Sequence, residues 1–147
     1  MTHSRRTFIQ LGVSLSALGA VPVFAAGRRP EAVVFDERAV SGLALARAAR
    51  DRGLHAHAIR GDVTDLWFHQ LEPHWRRRPM TIAGLTSHSA LFCLEMLARD
   101  RGMRLVFQGP PSSDLLARWR STAVPMPFAD GYRTDTQLSS WVLAPRT

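Results

Sequence analysis

The chain reads as an α/β domain with a mainly parallel sheet of four to five strands. Three observations carry this expectation. From Glu31 onward short apolar runs alternate with longer segments of helical periodicity. The pentapeptide Ala49-Arg50-Asp51-Arg52-Gly53 recurs unchanged as Ala98-Arg99-Asp100-Arg101-Gly102. Each copy closes a helical segment and is followed by a residue that opens a strand, Leu54 or Met103.

The elements follow in order. Ala32-Val33-Val34-Phe35 is a first strand. Val40, Leu43, Ala44 and Ala48 recur at helical spacing until Gly53, where a left-handed residue ends a helix. Leu54 to Ile59 makes a second strand. Asp62 or Thr64 caps a helix through Trp67, Phe68 and Leu71, which Pro73 must break or kink. Met80 to Leu85 is a third strand, Ser89 to Arg101 a third long helix, and Met103 to Phe107 a fourth strand. The 49-residue offset of the pentapeptide also aligns Val33 with Ile82 and Leu45 with Leu94, so the two segments read as equivalent halves. Beyond Gln108-Gly109-Pro110-Pro111 the pattern weakens. Ser112-Ser113-Asp114 opens a short helix through Leu115, Leu116 and Trp119, and Pro125, Pro127 and Gly131 mark an irregular loop. Leu138 to Leu143 is a last strand at the sheet edge.

Right-handed crossovers give the strand order 2-1-3-4, with the binding crevice between the first and third strands, beyond their carboxyl ends. This is a single three-layer domain, Rossmann-like or flavodoxin-like. Asp36, Glu37 and Arg38 leave the first strand at that crevice; Thr86, Ser87, His88 and Ser89 leave the third and start its helix. Backbone N–H groups at a helix start, two serine hydroxyls and an imidazole suit a carboxylate or phosphate. Asp36 or Glu37 opposite could orient His88 as a general base or bind a ligand hydroxyl. The candidate ligand-binding residues are therefore Asp36, Arg38, Thr86, Ser87, His88 and Ser89. The catalytic candidates are His88, Asp36 and Glu37.

Sharper motifs are absent. Asp36-Glu37-Arg38-Ala39-Val40-Ser41 stands where a dinucleotide fold carries its glycines, and there is no P-loop and no Gly-x-Ser-x-Gly elbow. The acidic pair resembles that of phosphoacceptor receiver domains, but Gly84-Leu85-Thr86 lacks the acceptor aspartate. His55 and His57 alternate on one side of a strand, and His69 and His74 flank Glu72 and Pro73, yet no three ligands converge by spacing. No metal site is expected, and no motif names a cofactor. Cys93, the only cysteine, sits in an apolar helical stretch and reads as a small buried hydrophobe. Trp67, Phe68 and Trp75 read as core and edge aromatics.

The first 25 residues form a separate unit. Ser4-Arg5-Arg6-Thr7-Phe8-Ile9-Gln10 precedes an uncharged run ending at Ala25-Ala26, and no acidic residue occurs before Glu31. This leader resembles the bacterial twin-arginine (Tat) signal, with cleavage after Ala25. The resemblance implies export of an already folded protein to the periplasm, with the Tat translocation machinery as a partner. The route is often taken because a cofactor is inserted or a partner bound in the cytoplasm, and a fast-folding domain without a cofactor can use it too. Gly12, Gly19 and Pro22 dilute the apolar run, so no permanent membrane span is expected after cleavage. Residues 26–147 then form the single mature domain. Its positive charge comes from arginine alone, as the chain has no lysine. An exported protein seldom meets nucleic acid, so this arginine excess is not read as a nucleic-acid footprint and no nucleic-acid partner is expected. The expected role is an accessory or ligand-binding protein, with a small anionic ligand or a larger exported redox enzyme as partner. The alternative is a small hydrolase, lyase or isomerase acting on an anionic substrate with His88 and Asp36 or Glu37.

Overall fold

The computed structural model describes residues 29–117 and 138–146. The leader, the helix end expected at Trp119 and the irregular loop expected around Pro125, Pro127 and Gly131 lie outside the described residues. The elements are β1 (Ala32–Asp36), α1 (Val40–Arg50), β2 (His55–Ile59), α2 (Thr64–Leu66), a π-helical turn (Trp67–Leu71), α3 (Glu72–Arg77), β3 (Ile82–Ser87), α4 (His88–Arg99), β4 (Met103–Gly109) and β5 (Leu138–Pro145). They build an α/β fold on one five-stranded mixed sheet ordered β2-β1-β3-β5-β4.

The parallel part is confined to one end. β1 pairs in parallel with β2 and β3, whereas β5 runs antiparallel to both β3 and β4. Four of the five strands still run in one direction and only β5 opposes them, so the expectation of a mainly parallel sheet holds in part. The expectation of a final strand at the edge is corrected, since β5 lies inside the sheet. The physical reason lies in Trp141-Val142-Leu143, three consecutive apolar residues that are all fully buried. A strand apolar on both sides needs cover on both faces, which an interior position supplies. β4 is consequently displaced to the edge, and its ladder slips between Leu105 and Phe107.

Helices cover both faces, giving two cores. On one side Val33, Leu45, Ala49, Ala83, Leu85 and Val142 pack with Leu115 and Leu116 beneath α1. On the other Val34, Ile82, Trp141 and Leu143 meet Leu66, Trp67, Leu71 and Trp75 together with Leu91, Leu94 and Ala98 of α4. The repeated pentapeptide ends both helices in the same way: Gly53 and Gly102 take φ of 72° and 71°, a conformation that favours glycine. Both preceding alanines are fully buried. The two halves nevertheless face opposite ways. Val33 and Leu45 belong to the α1 core, and their counterparts Ile82 and Leu94 to the α4 core. The sheet register agrees, because Ile82 lies opposite Ala32, not Val33. A one-residue offset between parallel strands sends equivalent side chains to opposite faces.

Pro73 shapes the segment between β2 and β3. It has no N–H to continue an α-helical ladder, and the Glu72 N–H reaches back five residues to the Trp67 carbonyl. The wide turn keeps Trp67, Leu71 and Trp75 inside, with the two indoles edge to face at 5.8 Å, and leaves Phe68 exposed. Asp62 secures the start of α2 by accepting from both the Thr64 backbone N–H and its hydroxyl. Among the described residues no helix is long and apolar enough to cross a membrane.

Candidate functional site

Strand alternation places Asp36, Thr86 and Ser139 on the α4 side of the sheet, in one row at the carboxyl ends of β1 and β3. Thr86 is opposite Ser139 in the β3–β5 register, and Asp36 is one step beyond the Phe35–Leu85 pair. All three are buried, at 2 %, 0 % and 2 % exposure, which is unusual for polar side chains unless each has a task. The sequence reading found Asp36 and Thr86. It missed Ser139 because it placed β5 at the edge, where the strand would not reach this row.

Each polar group has a definable partner, with one exception. Asp36 is gripped by Arg38: the backbone N–H (3.0 Å) and Nε (2.9 Å) donate to Oδ1, and Nη2 donates to Oδ2 (2.6 Å). These bonds hold the Asp36 carboxyl below the usual carboxylate range, against an opposing effect of burial, and raise Arg38 in turn. Thr86 Oγ1 accepts from the Trp141 indole N–H at 2.9 Å and donates to the Ser87 carbonyl at 3.1 Å. Ser139 Oγ is buried without a partner among the described residues.

The start of α4 is half-exposed above this row. Ser87 caps it, its hydroxyl accepting from the Ala90 N–H, and lies 3.2 Å from the Ser89 hydroxyl. His88 turns toward β4, where Gln108 Nε2 lies 3.4 Å from Nδ1. Glu37 is paired with Arg60 at 2.9 Å. The structure thus gathers Thr86, Ser87, His88 and Ser89 at one helix start and Asp36 with Arg38 beside them. Both carboxylates are engaged by arginines, and His88 contacts an amide.

A second feature lies between the α2–π-turn segment and α4. A groove of about 430 Å³ is lined by Val63, Phe68, Phe92, Cys93, Met96 and Leu97, with Asp62 and Thr64 as polar groups at its margin. Phe68, Phe92 and Met96 are exposed, at 61 %, 55 % and 47 %. Cys93 is exposed as well, contrary to the buried role expected for it. The helix phase explains this: Leu91, Leu94 and Ala98 take the inward stripe, and Cys93 points away from the sheet with Phe92 and Met96.

His55 and His57 share one side of β2, with rings stacked at 5.7 Å. Burial, aided by the neighbouring His55, lowers the pKa of His57 against the opposing effect of a hydrogen bond to the Gln70 side chain. Among the described residues no group of three or more His, Cys, Asp or Glu is placed to hold a metal ion. Comparison of the chain with protein-family models, with curated proteins and with solved structures finds no match.

Proposed function

We propose that this chain is an exported accessory protein whose mature domain, a three-layer Rossmann-like unit with β5 inserted, binds a small molecule. The carrying observation is the groove beside α4. Its volume falls within the range of small-molecule sites, and its apolar walls with a few polar groups at the margin suit a ligand with an apolar body. The competing reading, acid–base catalysis by His88 with Asp36 or Glu37, is less well supported. Arg38 and Arg60 occupy those carboxylates, and a general base needs its orienting partner within hydrogen-bond reach.

Nile red, a neutral apolar dye, tests the groove. Saturable fluorescence enhancement that is lost in Met96→Glu, while the melting temperature holds, is the expected result. Absence of saturable binding, or equal binding by the variant, would reject the site. The leader supports delivery to the periplasm by the Tat machinery, in the company of a larger exported enzyme. With Arg5 and Arg6 both changed to lysine, the chain should remain unprocessed in the cytoplasm in a fractionation assay. Undiminished periplasmic delivery would overturn that route.

A further inference from the structure

We infer that the start of α4 is an oxyanion site, built from the backbone N–H groups of His88 and Ser89, the Ser89 hydroxyl, the His88 imidazole and the buried hydroxyl of Ser139. It is distinct from the apolar groove and does not depend on it.

The argument begins with Ser139. A buried hydroxyl without a hydrogen-bond partner is costly, and such groups in a folded protein call for a ligand or another explanation. Ser139 lies directly across from Thr86 on the face that α4 covers. Thr86 Oγ1 is itself bonded to the carbonyl of Ser87, the residue that caps α4. The orphan hydroxyl is thereby held under the first turn of that helix.

The helix supplies the second component. α4 is 12 residues long, so its dipole is developed, and Ser87 satisfies only the Ala90 N–H. The N–H groups of His88 and Ser89, at the first two positions of the helix, have no intrahelical acceptor. His88 adds an imidazole at the same helix start, its Nδ1 3.4 Å from Gln108 Nε2. No acidic side chain caps this end, since the first turn of α4 contains none. Asp36, the nearest carboxylate in the row, is balanced by Arg38. Convergent donors without an opposing negative charge match the chemistry of a phosphate or carboxylate.

The test is a titration of the ¹⁵N-labelled protein with inorganic phosphate and, separately, with acetate. Saturable shifts confined to the amides of His88, Ser89 and Ala90 are expected. The tighter of the two anions assigns the ligand to phosphorylated or to carboxylic compounds. Ser139→Ala should weaken binding by about fivefold, the value of one lost hydrogen bond. In anion-free buffer the same variant should keep or raise the melting temperature, because it deletes an unpartnered buried group. A purely structural serine would leave affinity unchanged, and that result, or the absence of localised saturable shifts, would overturn the site. Should Ser139→Ala fail to fold, His88→Ala at the half-exposed helix start decides the question by the same affinity criterion.

Discussion

Thr86 offers the clearest separation of framework from site. It was expected to line a ligand crevice, yet it is fully buried and both of its hydrogen bonds are internal. Valine has nearly the same shape, so Thr86→Val opens no cavity and removes only the hydroxyl. The Trp141 N–H is then buried without an acceptor, a loss of about 1–3 kcal/mol, and the weaker bond to the Ser87 carbonyl adds about 0.5 kcal/mol. A net loss of about 2 kcal/mol corresponds to a fall in Tm of roughly 6–10 °C for a domain of this size. Urea unfolding followed by circular dichroism measures the difference directly. Combining it with Trp141→Phe should show strong coupling, because the second change finds the hydrogen bond already gone. A loss below about 0.5 kcal/mol, the level of an ordinary surface substitution, would refute the assignment of Thr86 to the framework. Additive effects in the double variant would do the same.

Leu94 is fully buried in the α4 core, so Leu94→Ala should cost about 2–5 kcal/mol in the same unfolding assay. Asp36 has a folded-state pKa below its ordinary value of 3.8, so the stability it contributes is complete above that value and is lost as pH falls through the folded one. Asp36→Asn should therefore be less stable than wild type at pH 7, with the gap closing at acid pH below 3.8; urea midpoints at pH 7 and in acid check this.

Local grammar was legible and long-range placement was not. The pentapeptide with its glycine specified two helix ends because a left-handed residue after an arginine-rich turn is a purely local event. The strands β1 to β4 were likewise readable as apolar runs. The position of β5 was not, because alternation tells which face a residue occupies and not which strand lies beside it. Its buried Trp141-Val142-Leu143 run was the available signal, since an edge strand seldom hides both faces. On α4, Cys93 looked like core, and only the phase set by Leu91, Leu94 and Ala98 turns it outward with Phe92 and Met96. The polar row was half legible for the same reason: Asp36 and Thr86 belong to strands placed correctly, Ser139 to the one that was not.

The insertion of β5 also dictates the order in which this domain can be completed. Among the described residues β4 pairs with no strand but β5, so until residues 138–145 are available it has no place in this sheet, although it is translated well before them. An intermediate made of β1, β2 and β3 would expose the far edge of β3, the kind of unpaired edge that invites wrong pairing. Closure must await the last of the described strands and then join β3 and β4 in a single step. Placement of β4 is thereby coupled to the availability of residues 138–145, and a nick or truncation that removes β5 would detach β4 with it.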